Sequence, residues 1–250
     1  MTAELEVLQD AATRLERAGI PYMLTGSIAL SYYAQPRMTR DIDLVAELSG
    51  RDSKAVAALF APDYYIAESD VGRAIATGGM FNVLHLGKLV KLDFIVRKDT
   101  PYRRQEFERR RRVPMPGFEA WIVSREDLIL SKLAWAKDSG SEMQLRDVRA
   151  LLRAARIASI LSAGRKISRY RNCCGKASMQ DTTPEFRKLV EQGYASMAPE
   201  ERVRVCTEMF DTAFALVEAS MPEGLDPGER RFRLCERFYG DLAARALPRR

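Results

Sequence analysis

The sequence predicts an α+β fold, a mixed β-sheet flanked by helices, on three observations. Short apolar or alternating runs at residues 22–25, 41–45, 81–86, 89–96 and 118–123 read as strands. Stretches of helical period lie before, between and after them, without the regular strand–helix alternation of a parallel sheet. No convincing strand follows residue 180, so the last part of the chain reads as a small all-α C-terminal module.

The elements follow in order. Leu5, Leu8, Ala11, Ala12 and Leu15 recur at helical spacing over residues 3–18, and Gly19 ends that helix. Tyr22-Met23-Leu24-Thr25 is a short buried strand that runs into Gly26-Ser27. A small-residue helix from Ile28 to Ala34 comes next, closed by Gln35-Pro36-Arg37. Asp41-Ile42-Asp43-Leu44-Val45 alternates, with Ile42 and Leu44 on one face and Asp41, Asp43 and Val45 on the other. Residues 53–60 and 69–77 are helical in pattern, and the strands 81–86 and 89–96 form a hairpin around Gly87-Lys88. Ser124, with Asp127 three positions on, is the Asp form of a capping box and opens a helix over 125–137; a second helix covers 143–155. Residues 157–178 hold Ser, Gly, Arg and Lys, no acid and the pair Cys173-Cys174, and read as a basic linker. Pro184, Pro199 and Pro227 then mark three helix starts. The expected division is 1–156, 157–178 and 179–250.

Composition narrows the class. The chain has 250 residues, 46% hydrophobic and 30% charged, enough to bury a core and too apolar for a disordered tail. No window approaches a membrane span, and the acidic first twenty residues lack the features of a signal peptide. Four cysteines make no disulfide framework, so the expected compartment is the reducing cytoplasm, with no membrane partner. The net charge of +6 is uneven: residues 101–178 carry 18 Lys and Arg against 8 Asp and Glu. That stretch is either a solvated basic face or a surface for a polyanion such as RNA.

The chemistry concentrates at Gly26-Ser27 and Asp41-Ile42-Asp43. Aspartates at i and i+2 on a strand share a face and can share hard cations, as Mg²⁺ requires. Asp93, in Lys91-Leu92-Asp93-Phe94-Ile95, is the candidate third carboxylate. A strand ending at glycine, followed by a helix N-terminus, lets backbone N–H groups approach phosphate. Such a set suits phosphoryl transfer, in which positioning and charge neutralisation do most of the work.

These residues resemble the nucleotidyltransferase signature of the DNA polymerase β superfamily. The longer string Gly26-Ser27-Ile28-Ala29-Leu30 … Arg37-Met38-Thr39-Arg40-Asp41-Ile42-Asp43-Leu44 is similar to AbiEii-like nucleotidyltransferases, a group that includes toxins of type IV toxin–antitoxin systems. Glu126-Asp127-Leu128-Ile129-Leu130-Ser131-Lys132-Leu133, followed by Arg146-Asp147, extends the resemblance, which covers about residues 5–155. It implies a minimal nucleotidyltransferase fold. It also implies transfer of a nucleoside monophosphate from an NTP, with two Mg²⁺ ions on Asp41, Asp43 and Asp93. Lys132 and Asp147 would support nucleotide binding or catalysis. Gly26, Ser27, Arg37, Arg40 and Lys132 are the expected nucleotide-binding set. The implied partners are the NTP, an RNA (tRNA) or protein acceptor, and a cognate antitoxin. The second half of the family's helical region looks absent after about 156, so residues 179–250 read as a fusion or a read-through of a neighbouring gene.

Plainer roles stand beside these. Arg37 and Arg40 either touch phosphate or pair with Glu47, and Asp147 either acts in the site or pairs with Arg146 or Arg149. His85, the sole histidine, reads as a core or edge residue, and no zinc pattern is present. Cys206 and Cys235 read as core. Arg109–Arg112 could line an RNA groove or a solvated strand edge, and Met209, Phe210, Phe214 and Leu216 a small core or a partner interface. The competing function is a catalytically inactive regulatory or nucleotide-binding protein on the same fold. Three gathered carboxylates argue against it, because a scaffold has no need to concentrate like charge.

Overall fold

The computed structural model describes residues 1–163 and 184–247. Seven strands form one mixed sheet: β1 (Tyr22–Leu24), β2 (Asp41–Ala46), β3 (Tyr64–Ile66), β4 (Met80–His85), β5 (Val90–Val96), β6 (Arg111–Met115) and β7 (Phe118–Ile122). Their order is β3-β4-β5-β2-β1-β7-β6, with β2–β5 and β1–β7 parallel and the other pairs antiparallel. The helices of the first part are α1 (Ala3–Arg17), α2 (Gly26–Tyr33), α3 (Ser53–Ala58), α4 (Glu68–Thr77), α5 (Pro101–Glu108), α6 (Arg125–Ser139) and α7 (Glu142–Ala163). Those after the undescribed stretch are α8 (Pro184–Ser196), α9 (Pro199–Ala219), α10 (Pro227–Tyr239) and α11 (Leu242–Ala246).

The α+β class and mixed sheet are as the periodicity predicts. The capping box also forms: Asp127 N–H donates to Ser124 Oγ at 3.1 Å. Two strands go beyond the sequence expectation. β3 spans three residues, too few to show a period. β6 is rich in arginine and contains Pro114, tolerable only because it is an edge strand. The helix expected over 143–155 continues to Ala163, since no glycine or proline interrupts it. The rest of the basic segment to 178, including Cys173 and Cys174, lies outside the described residues.

The C-terminal helices pack on the first part of the chain. Helix α9 lies against α1, α2 and β6, and its Val203 is wholly buried in the main core. Arg202, itself buried, donates to the carbonyls of Ser31 and Tyr32 at the end of α2 and of Met197 just past the end of α8, where helix ends leave carbonyls without partners. Leu234, Cys235 and Ala243 of α10 and α11 cluster with Leu84 and Leu89 of the β4–β5 hairpin. Phe210 is buried, Phe214 stacks on Phe238 at 5.3 Å, and Leu216 is exposed. Among the described residues no helix is long and apolar enough to cross a membrane.

Candidate active site

Strand alternation and one register build the site. In the parallel pair β2–β5, Asp41 lies opposite Lys91 and Asp43 opposite Asp93. Antiparallel β4 places Asn82 opposite Asp93. Ile42, Leu44, Leu92 and Phe94, pointing the other way, are buried in the core, which fixes the polar set on the opposite face. Thr25 N–H donates to the Asp43 carbonyl at 2.9 Å and brings the β1–α2 turn alongside. Helix α2 begins at Gly26, two residues earlier than the pattern indicates, so Gly26 and Ser27 lie in its first turn with free N–H groups. Gly26 is required twice over: its φ is +64°, and a Cβ there would stand 1.8 Å from Asp43 Oδ2.

The face is electrostatically loaded. Burial pushes the Asp43 carboxyl up to about 7, and the neighbouring Asp93 and Asp41 add to the rise; Lys132 and Lys91 oppose it. Asp41 is raised for the same first reason, burial, against the pull of Lys91. Asp93 is fully engaged: Asn82 donates to Oδ1, and Lys91 Nζ donates to Oδ2 at 2.9 Å. Lys91 also stands 3.3 Å from Asp41 Oδ1, which is buried and accepts no well-aimed hydrogen bond.

A second cluster lies across the cleft on α6 and α7. Lys132 Nζ donates to Asp147 Oδ2 at 2.7 Å and to Gln144 Oε1 at 3.1 Å. Arg37 reaches the same Asp147 carboxylate with two N–H groups, at 3.2 and 3.0 Å. Asp147 therefore pairs with Lys132 and Arg37, not with its neighbours Arg146 and Arg149. Glu47 is taken by Arg97, Arg37 is held by Asp147, and Arg40 donates to the Phe238 carbonyl at 2.9 Å, so neither arginine before β2 pairs with Glu47. Asp147→Ala is expected to cost about 3–5 kcal/mol, because it strands the buried Lys132 ammonium and releases Arg37. Urea unfolding measures this, and a loss below about 1 kcal/mol would show the network to be dispensable.

Between the two clusters is a cavity of about 390 Å³, lined among others by Gly26, Ser27, Asp43, Lys132, Gln144 and Trp135. Of the three candidate carboxylates Asp43 alone lines it; Asp41 and Asp93, on the same sheet face, add oxygen donors of the kind a hard cation takes. As the side chains stand, no three His, Cys, Asp or Glu among the described residues are gathered into a metal cage. Lys91 and Asn82 take both oxygens of Asp93.

Other candidates have structural work. His85 packs edge-on to Tyr64, and its Nδ1 accepts from the Gly87 and Lys88 N–H groups, capping the hairpin. The basic run divides: Arg109 pairs with Asp127, Arg110 lies over Phe107 and Trp121, and Arg112 bridges to Glu119 across β6–β7. Cys206 and Cys235 are buried. Sequence reasoning missed Asn82, Lys91 and Tyr239. Lys91 carried a signal, two residues before Asp93 on one strand, whereas Asn82 and Tyr239 required the register and the packing of α10.

A family model described as "Nucleotidyl transferase AbiEii toxin, Type IV TA system" matches residues 12–215. The match thus runs past residue 155 into α9. Among solved structures, the lincosamide antibiotic adenylyltransferase LnuA, lincomycin-bound, is similar at 17% identity and a TM-score of 0.40, covering 59% of this chain and 94% of that one. An antigenic nucleotidyltransferase-like protein from Paracoccidioides brasiliensis is similar at 20% identity and a TM-score of 0.42, covering 61% and 76%. The antibiotic-resistance factor ANT(2'')-Ia is similar at 13% identity and a TM-score of 0.38, covering 86% and 95%. No curated protein matches.

Proposed function

The chain belongs to the AbiEii nucleotidyl transferase family of type IV toxin–antitoxin systems, and from that premise we propose a Mg²⁺-dependent reaction at the Asp41–Asp43–Asp93 face. The reaction transfers a nucleoside monophosphate from an NTP to a hydroxyl of RNA (tRNA) or of a protein. A cognate antitoxin would hold the activity in check. The carrying observation is the register that sets Asp43 beside Asp93 and against Gly26, at the wall of the cavity that also holds Lys132.

In this reading the acceptor oxygen bonds to the α-phosphorus, the bond to the α–β bridging oxygen breaks, and pyrophosphate leaves. Two Mg²⁺ ions held by Asp41, Asp43 and Asp93 would neutralise the triphosphate and lower the pKa of the acceptor hydroxyl. Gly26 and Ser27 present N–H groups to the phosphates. Lys132, aimed by Asp147, adds a point charge to the triphosphate. Asp93 orients the acceptor hydroxyl. Arg37 and Arg40, already committed to Asp147 and to the Phe238 carbonyl, would reach phosphate only by giving up those bonds.

The test is incubation of the chain with each labelled NTP, Mg²⁺ and total tRNA or cell protein. Labelled product is expected with the wild type and at least about 10³-fold less with Asp41→Ala/Asp43→Ala. An identical product from the double variant would remove the site assignment. Label in RNA or in protein identifies the acceptor.

A further inference from the structure

We propose that Lys91 is the resident counter-ion of the acidic face, an ammonium that stands between Asp41 and Asp93 and is exchanged for the divalent cation. The inference rests on the Mg²⁺-dependent reading above and adds a residue and a step to it.

Three carboxylates on one face repel each other and need a cation to stay together. In this structure that cation is Lys91 Nζ, 2.9 Å from Asp93 Oδ2 and 3.3 Å from Asp41 Oδ1. The pairing is enclosed: the Lys91 side chain is 17% exposed and that of Asp93 is 9%. The geometry is inherent in the sheet, because Lys91 lies directly opposite Asp41 and two residues before Asp93. The ammonium is shared unequally: it donates to Asp93 Oδ2 at 2.9 Å and stands 3.3 Å from the buried Asp41 Oδ1, so one positive charge is divided between two carboxylates. A divalent ion brings twice the charge and accepts several oxygens at once.

The far end of the chain holds Lys91 in place. The Tyr239 ring lies 6.0 Å from Nζ, within range for cation–π attraction. Tyr239 Oη donates to the Arg40 carbonyl at 3.3 Å, while Arg40 donates to the Phe238 carbonyl, a reciprocal clasp between the end of α10 and the residue before β2. The ring offers the displaced ammonium an aromatic face to settle on, so the exchange needs no large movement.

The full-length protein at pH 8 is titrated with MgCl₂ and a non-hydrolysable ATP analogue, and thermal unfolding is followed. Lys91→Gln is expected to unfold at a lower temperature without metal and to reach its half-maximal Mg²⁺ response at about tenfold lower concentration than the wild type. An unchanged or higher Mg²⁺ midpoint overturns the proposal. The wild type gives a second measurement that requires no substitution: lysine acylation read by mass spectrometry. Lys91 is expected to be protected without Mg²⁺ and labelled at least several-fold faster at saturating Mg²⁺, and equal labelling overturns the exchange. A wild type that responds to Mg²⁺ in neither measurement, and that Asp43→Asn leaves unaltered, overturns the metal reading itself.

Discussion

Asp43→Asn is expected to abolish nucleotide transfer and, in the absence of metal, to make the protein more stable at pH 8. Both effects come from one carboxyl. Burial first, and then Asp93 and Asp41, push it up to about 7 from an ordinary value of 3.8. A carboxyl whose pKa is raised on folding binds its proton more tightly in the native state. Its contribution to stability is therefore complete below about pH 3.8 and is lost as the pH rises through about 7. At one pKa unit per 1.36 kcal/mol, the charged form costs roughly 2–4 kcal/mol at pH 8. Asparagine keeps the shape, removes the charge and relieves Asp41 and Asp93 of a like neighbour. Urea unfolding in a chelator should show the variant ahead by that amount at pH 8, with the gap closing towards pH 4. Transfer should fall by at least about 10³-fold, because in the proposed reaction Asp43 is one of three carboxylates that would hold the cations. A variant no more stable than the wild type at pH 8 would mean that Asp43 is solvated or already paired.

Gly26→Ala is expected to damage the same site from the opposite side. A side chain at φ +64° carries a backbone penalty of about 1–2 kcal/mol. The larger effect is steric: the new Cβ would stand 1.8 Å from Asp43 Oδ2 and 2.5 Å from its Cγ, far inside contact distance. Either Asp43 turns out of the face or the start of α2 moves away from it. The expected result is a loss of about 2–4 kcal/mol and of more than about 100-fold in transfer. Gly50→Ala separates the two causes. Gly50 has φ +71°, but a Cβ there would meet nothing within 4 Å, so its loss should stop at about 1–2 kcal/mol with transfer intact. Equal losses at the two positions would show that backbone strain alone accounts for Gly26.

Local chemistry made much of this legible. The alternation in Asp41–Val45 named the face on which two carboxylates meet, and Gly26-Ser27 named the turn beside them. Ser124 and Asp127 announced the start of α6, which carries Lys132. Less legible were the strands that break the rules of composition: β6 opens with two arginines and contains a proline, and β3 is three residues long, so neither carries a clear period. The partners of charged side chains were the least legible. Nothing in the string around Asp147 points to Arg37, 110 residues away. Nor does anything around Lys91 point to Tyr239.

By itself the sequence determined which residues share a face, because side-chain direction along a strand repeats every two residues and needs no other part of the chain. It also determined the family, through motifs whose spacing is local. The tertiary structure alone decided that Asp43 sits beside Asp93, that Lys132 is held by an aspartate shared with Arg37, and that Lys91 stands among the acids under a tyrosine of α10. Each of these depends on strand register and on the packing of segments far apart in the chain. Those are set by burying the opposite, apolar faces together, not by any rule that a short stretch of sequence can express.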